Sequence, residues 1–414
     1  MLCVIKHKLT NMSKLYMLIL IIFSFINSYS QDSTFSNDYI DSTILNFKEK
    51  WKIPGISIAL AKDGRLIYAK GYGYADTLKK EPVTPNNLFR IASCSKTITA
   101  LGVMKLVEGD KINLGDTVFG ENGILNDLLY RNISDERVYS ITIQNLLQHT
   151  VGWPDLDIIG GNEASYALNL PIPAGREENI KYMLLQKHEF APSTQYRYSN
   201  FNYLFLGEII NKVSGKNYEE FIQTEILNPI GVYTTLPAKS KIEERTTNEV
   251  IYYDYNREKS PSALDTAVIV PESYSFNMAP TLPEGGWVSR PVDMIKIILA
   301  FDGLDKPMDL LKKETINIMA TPPNDIKSKY AIGMKVADNM WYHTGALTWG
   351  TFAMWFKTEN NVCFAITCNT LPNTGETDEE KLESLGLFFK DVLITFPSRF
   401  RKITKYPDIN LFEN

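Results

Sequence analysis

Residues 89–100 read FRIASCSKTITA, and this stretch joins a strand-like segment to a predicted helix that ends near Glu108. Ser93 and Lys96 are three residues apart in it, so their side chains would lie on one face of the helix. Ser93 Oγ and Lys96 Nζ would then be within hydrogen-bonding reach, beside a helix N-terminus that stabilises negative charge. A serine in that setting can attack a carbonyl carbon. The Ser-x-x-Lys spacing occurs once in the chain, but both residue types are common, so it needs support from other parts of the sequence.

Strand patterns at both ends of the chain surround this stretch. Residues 56–61 and 66–73 flank a Lys-Asp-Gly turn and predict a hairpin, preceded by a helix over about 37–51. Strand character returns between Tyr330 and Cys368, and a final helix is predicted over about 379–394. Between the two sets of strands, apolar residues at helical spacing predict helices, for example at Ile143 to Leu147, Tyr203 to Val213 and Tyr218 to Leu227. We therefore expect an α/β (α+β) fold, in which an antiparallel sheet is flanked by helices and carries an inserted, mainly helical subdomain.

The N-terminal 30 residues have the layout of a secretory signal peptide. Three lysines precede the apolar run 15–26, and the small residues Ser28 and Ser30 follow it. We expect cleavage near Ser30 and export to the periplasm or the medium of a bacterium, with no stable membrane partner after cleavage. An uncleaved N-terminal anchor is the alternative.

Composition excludes several classes of function. The 414 residues carry a formal net charge of −5, which disfavours nucleic acid as a partner. The four histidines, at 7, 149, 188 and 343, form no metal-binding motif, and Cys94, Cys363 and Cys368 have no metal-ligand spacing. We therefore expect no metal and no cofactor; the expected partner is a small-molecule or peptide substrate, and the oligomeric state is left open.

A second motif with possible chemistry is Tyr198-Ser199-Asn200, between a Pro-Ser-Thr turn and an apolar helix. A phenol beside an ammonium gives up its proton more easily, so Tyr198 next to Lys96 could deprotonate Ser93 and later protonate a leaving group. Asn200 could hydrogen-bond Lys96 and a substrate amide. Packing of Tyr198 against neighbouring aromatic residues is the alternative.

A third motif, His343-Thr344-Gly345-Ala346, lies on a predicted strand near the C-terminus. A strand edge can bind an extended acyl chain through its backbone. His343 and Thr344 would offer donors to a substrate carboxylate or leaving group, and Gly345 would allow close approach. The N–H of Ala346 could join that of Ser93 as an oxyanion hole. His-Thr-Gly in isolation is more often a turn than a site.

Together, these motifs make the chain resemble the serine hydrolases that recognise penicillin: class C β-lactamases, D-alanyl-D-alanine carboxypeptidases and their esterase relatives. Residues 146–152, LLQHTVG, and 285–289, GGWVS, are similar to two further signatures of that group. The resemblance implies a β-lactamase/D,D-peptidase-like fold with Ser93 as the acylated nucleophile. Lys96 and Tyr198 would share the acid and base roles, and Asn200 and His343–Ala346 would line the cleft.

The domain assignment follows from the same resemblance. We predict a signal peptide at 1–30, a hydrolase domain at 31–400 and a C-terminal tail at 401–414. Within the hydrolase domain, the sheet would come from about 37–88 and 284–396, with a helical insert at about 89–283. The irregular segment Lys239 to Pro283 is predicted to be a surface excursion near the mouth of the site.

Two positions depart from the class C β-lactamase pattern. His343 stands where those enzymes usually carry lysine, which is more similar to D,D-carboxypeptidases and D-amino-acid peptidases or esterases. Val151 replaces the usual serine of its signature. We therefore expect an exported D,D-carboxypeptidase-like peptidase or esterase. The alternatives are a β-lactamase and, from another class, a non-catalytic binding or sensor protein for cell-wall peptides or penicillin.

Overall fold

The computed structural model describes residues 37–154, 156, 160–254, 258–304, 308–337, 339–347 and 350–371. The predicted signal peptide, final helix and C-terminal tail lie outside these residues, and the predicted domain boundaries stay predictions. In the described part of the chain, no helix is long and apolar enough to span a membrane.

A seven-stranded antiparallel sheet forms the centre of the fold, as predicted. Its order is β3-β2-β1-β12-β11-β10-β9, so strands from the two ends of the chain meet in the middle. The predicted hairpin is confirmed: β1 and β2 turn at Asp63 and Gly64, which both have positive φ. The strands are β1 (Gly55–Lys62), β2 (Arg65–Asp76), β3 (Glu81–Pro82), β9 (Lys335–Ala337), β10 (Met340–Leu347), β11 (Thr351–Thr358) and β12 (Val362–Cys368).

The two faces of the sheet differ in side-chain size. Ile58 and Leu60 of β1 point to one face, where they pack with helix α1 (Asn37–Lys50). Ala59 and Ala61 point to the opposite face, which belongs to the main core. Small side chains on that face leave room for two helices, α2 (Ser95–Glu108) and α8 (Pro291–Leu299). Helix α2 is almost wholly buried, so the residues at its start have fixed surroundings.

Within the described residues, five α-helices lie between α2 and α8, and a ninth, α9, follows α8. Thr142 begins α3 with a capping box to Asn145, and α6 ends at Gly215 with positive φ. The helices predicted at 143–147 and within 203–213 are therefore confirmed, whereas the one predicted at 218–227 is α-helical only to Ile222 and continues as a π-helical turn. The bounds are α3 (Ile143–Leu147), α4 (Glu163–Leu168), α5 (Arg176–Leu184), α6 (Asn200–Ser214), α7 (Tyr218–Ile222) and α9 (Lys313–Met319).

The segment predicted to be irregular, 239–283, also contains regular structure. Strands β6 (Lys259–Ser262) and β7 (Asp265–Pro271) form a hairpin whose β7 side chains are mostly exposed. A short three-stranded sheet of β4 (Phe89–Arg90), β8 (Trp287–Ser289) and β5 (Leu236–Pro237) lies elsewhere in the middle of the chain. Its pairing of β4 with β8 brings the segment after Pro283 beside the start of α2.

Candidate active site

Ser93 lies in a single 3-10 turn, Ala92–Cys94, between β4 and α2. Ala92 has φ +45°, a left-handed conformation that costs energy for a residue with a Cβ. The Ile91 N–H donates to the carbonyl of Trp287 at 3.0 Å and ties the turn to β8. The turn therefore presents Ser93 at the helix start, half-buried, with little freedom to move.

Lys96 is fully buried at the start of α2, with no solvent exposure. Its Nζ donates to Ser93 Oγ at 3.0 Å, to Asn200 Oδ1 at 2.8 Å and to the carbonyl of Glu284 at 2.8 Å. The carboxylate oxygen Oε2 of Glu284 is 3.3 Å from the same nitrogen. The predicted hydrogen-bonding contact between Ser93 and Lys96 is thus present, although Ser93 lies in the 3-10 turn before α2 and not on the α-helix itself.

Tyr198 and Asn200 reach the same place from the start of α6. Lys96 Nζ lies 5.0 Å from the centre of the Tyr198 ring, a distance typical of a cation–π contact. The Ser199 N–H donates to Nδ1 of His149 at 3.2 Å, and the Asn202 amide is 3.0 Å from the same nitrogen. His149 therefore anchors the loop that carries Tyr198 and Asn200, and burial lowers its pKa well below the usual value, so that the ring is neutral.

Strand β10 closes the site on the side opposite α6. A Cβ at Gly345 would lie 2.3 Å from the carbonyl oxygen of Ile91 and 2.9 Å from the Ser93 nitrogen, so only glycine fits. The Cys94 thiol, which is buried and free, contacts the carbonyl of His343 at 3.6 Å. These contacts place the backbone of Thr344 and Ala346 along the turn that holds Ser93.

His343 does not have the orientation that its motif predicted. The side chain is 3% exposed; its Nδ1 donates to the carbonyl of Thr344 at 2.6 Å, and its Nε2 lies 2.9 Å from the hydroxyl of Tyr330. A carbonyl only accepts, so the ring proton sits on Nδ1 and Nε2 accepts from Tyr330. Burial, and then the charge of Lys96, lower the pKa of His343 to about 3. At neutral pH the ring is therefore uncharged and engaged within the protein, not offered to a substrate.

Two residues of the site were missed by sequence reasoning. Glu284 directly precedes Gly285-Gly286, so the GGWVS signature at 285–289 is the sequence signal that could have located this glutamate. Tyr330 is buried, packs edge-to-face on His149 at 4.5 Å and holds His343. No local pattern in the sequence distinguishes Tyr330 from the other 21 of the 22 tyrosines.

The buried His343 predicts a pH dependence of stability. Its pKa is about 3 in the folded protein, against about 6.5 in the unfolded chain, so the unfolded state binds more protons between these values. Stability should therefore fall as pH decreases from about 6.5 toward 3, by up to ~1.4 kcal/mol per pH unit for this residue. The free energy of unfolding can be measured by urea unfolding between about pH 4.5 and 7 for the wild type and for His343→Gln. Plotted against pH, this free energy should have a shallower slope for the variant than for the wild type. Parallel slopes would contradict the neutral, buried histidine.

Known proteins resemble this chain in sequence and in fold. A family model described as beta-lactamase matches residues 40–386. Protein flp of Staphylococcus aureus strain NCTC 8325 / PS 47 is 27% identical over 316 residues, which are 75% of this chain and 59% of flp. The chain thus spans less than two thirds of the length of this curated relative.

Two solved structures are similar over most of the chain. The octameric penicillin-binding protein homologue from Pyrococcus abyssi has a TM-score of 0.65 at 25% identity, covering 86% of this chain and 76% of its own. The D-amino acid amidase from Ochrobactrum anthropi SV3 has a TM-score of 0.67 at 21% identity, covering 87% of this chain and 99% of its own. The likeness to the amidase concerns the fold.

Proposed function

Because the chain belongs to the beta-lactamase family of serine hydrolases, we propose that it is an exported enzyme that cleaves peptide, amide or ester bonds through an acyl-enzyme on Ser93. The observation that carries the proposal is the 3.0 Å contact from Lys96 Nζ, in the first turn of α2, to Ser93 Oγ in the 3-10 turn before it. Export rests on the signal-like pattern of residues 1–30.

In the proposed mechanism, Tyr198 starts as a phenolate beside the Lys96 ammonium and takes the proton of Ser93 as Oγ bonds to the substrate carbonyl carbon. The negative charge that develops on the carbonyl oxygen is held by the backbone N–H groups of Ser93 and Ala346. Tyr198 then returns the proton to the leaving group as the scissile bond breaks, which leaves an ester on Ser93. Water hydrolyses that ester by the same proton route, releases the acid and restores the Ser93 hydroxyl.

The state of His343 bears on the substrate. A D,D-carboxypeptidase substrate ends in a carboxylate, which is best recognised by a cation. His343 is neutral and directed to Tyr330, so it supplies no such charge. This supports substrates with uncharged leaving groups, such as esters and D-amino acid amides, at least as strongly as peptides ending in D-Ala-D-Ala. The named activity of the similar D-amino acid amidase points the same way.

Covalent labelling tests the proposal. Incubation with a fluorophosphonate, followed by peptide mass spectrometry, should find the adduct on Ser93. A folded protein that stays unlabelled, or that is labelled elsewhere, would refute the acyl-enzyme assignment. Rates measured side by side on p-nitrophenyl esters, a D-amino acid amide, a D-Ala-D-Ala peptide and nitrocefin would then define the substrate class, and we expect esters or amides to rank first.

A further inference from the structure

Glu284 places two acceptor oxygens beside Lys96. Its backbone carbonyl is 2.8 Å and its Oε2 3.3 Å from Nζ, and the side chain is itself only 8% exposed. An isolated ammonium in such a place would lose its hydration without compensation, which is strongly unfavourable. The carboxylate supplies the compensating charge from inside the protein.

The position of Glu284 is set by the helix that carries Lys96. Thr99 Oγ1 donates to the carbonyl of Pro283 at 2.5 Å, and the Trp287 N–H donates to Ser95 Oγ at 3.4 Å. The Glu284 and Gly285 N–H groups both donate to the carbonyl of Thr281, at 3.0 and 2.8 Å. The segment 283–287 therefore lies along the first two turns of α2, with Glu284 held opposite Lys96.

The contacts of Lys96 also indicate its protonation state. Ser93 Oγ, Asn200 Oδ1 and the Glu284 carbonyl all lie within 3.0 Å of Nζ, and a carbonyl oxygen can only accept. A neutral amine could donate to the two carbonyl oxygens and accept from the Ser93 hydroxyl, but it would place no positive charge beside the buried Glu284 carboxylate, 3.3 Å away. An ammonium has three N–H groups for these acceptors and also supplies that charge. The arrangement therefore fits a charged Lys96, which cannot also take the proton of Ser93.

We propose that Glu284 is a positioning residue that keeps Lys96 as an ammonium, so that the proton of Ser93 goes to Tyr198 and not to Lys96. This rests on the proposed acyl-enzyme function. The carboxylate acts through Lys96: it fixes Nζ between Ser93 and Asn200, and it sets the pH above which the ammonium is lost.

The other titratable groups near Lys96 do not change charge between about pH 5 and 10. Burial lowers the pKa of His149 and of His343, so both rings stay neutral. Burial raises the pKa of the Cys94 thiol and of the Tyr203 and Tyr330 phenols, which stay protonated. The charge of Lys335 also lowers the pKa of both histidines. We therefore expect the pH dependence of kcat/KM to reflect the ionisation of Glu284, Lys96 and Tyr198.

The test is the pH profile of kcat/KM for Glu284→Gln, with Glu284→Asp as the conservative variant. Without the carboxylate, Lys96 should lose its proton at lower pH, so the basic limb of the profile should move down by roughly one to three pH units. Glu284→Asp should restore part of the shift. Glu208→Gln is the matched control, because Glu208 is equally buried and pairs with Arg176 at 2.6 Å, two turns into α6. Its profile should equal that of the wild type.

Direct titration of Lys96 separates this inference from the proposed function. In protein labelled with ¹³C at lysine Cε, the Lys96 signal, assigned by its loss in Lys96→Met, should titrate at lower pH in Glu284→Gln than in the wild type. Equal midpoints, or an unchanged kcat/KM profile in a folded Glu284→Gln, would overturn the role of Glu284. A shifted midpoint in a protein that never labels at Ser93 would support the charge pairing and reject the acyl-enzyme.

Discussion

Replacing Ser93 with alanine should lower kcat by about 10³- to 10⁶-fold, the loss typical of removing a covalent nucleophile. The variant loses the one oxygen that can bond to the substrate carbonyl, whereas the oxyanion donors are backbone groups and remain. The fold should survive, because Ser93 is half-buried and its Oγ accepts a single hydrogen bond from Lys96 among the contacts described above. Steady-state rates on the best ester or amide substrate, with circular dichroism as a check of folding, measure the effect.

Ser165→Ala provides the matched control for this substitution. Ser165 is a fully buried serine on α4, and its hydroxyl donates to the carbonyl of Pro171 at 2.9 Å. It should cost some stability and leave kcat within a few fold. A Ser93→Ala protein with more than about a tenth of wild-type kcat would show that the acyl group is not carried by Ser93.

Replacing Lys96 with methionine should have the second largest effect, and on two quantities. Activity should fall by at least about 10³-fold, because Ser93 and Tyr198 lose the adjacent positive charge that favours proton transfer between them. Stability should also fall, by about 3–5 kcal/mol, because Glu284 is left buried without its counter-charge. Methionine keeps most of the volume, so a cavity contributes little. Urea unfolding and kcat/KM measure the two effects separately.

The double variant Lys96→Met/Glu284→Gln separates charge from packing. Removing both charges should recover most of the lost stability, since no uncompensated ion remains, while activity stays at the level of the single lysine variant. If Lys96→Met were as stable as the wild type, the carboxylate of Glu284 would not depend on the lysine, and the ion pair would have no energetic role.

Local patterns were enough to predict most of the sheet and part of the site. The hairpin of β1 and β2 and the helix carrying Lys96 follow from alternation, turn residues and the spacing of apolar side chains. Cys363 and Cys368, an odd number of residues apart, lie on opposite faces of β12, since they belong to different core clusters. In each case the pattern lies within a few residues, so the sequence displays it directly.

Contacts between distant segments could not be predicted in the same way. Glu284 is 188 residues from Lys96, and nothing in its immediate neighbours indicates a buried ion pair. The inward turn of His343 depends on the hydroxyl of Tyr330, which comes from outside β10. The hairpin of β6 and β7 was not predicted, because the sequence of β7 has no alternation of apolar and polar residues. Such alternation is absent because the strand is exposed on both faces.

The pairing of β1 with β12 has a consequence for how the chain folds. Ile58 lies opposite Ile366, so the centre of the sheet joins residues separated by most of the described chain. Contacts of such long sequence separation are slow to form, because a large loop must close before they contribute. During synthesis, β1 can pair with β2 but has no strand on its other edge until β12 has been made. We therefore expect fragments that stop before residue 362 to expose an unpaired β1 edge and to aggregate, however complete their helical part.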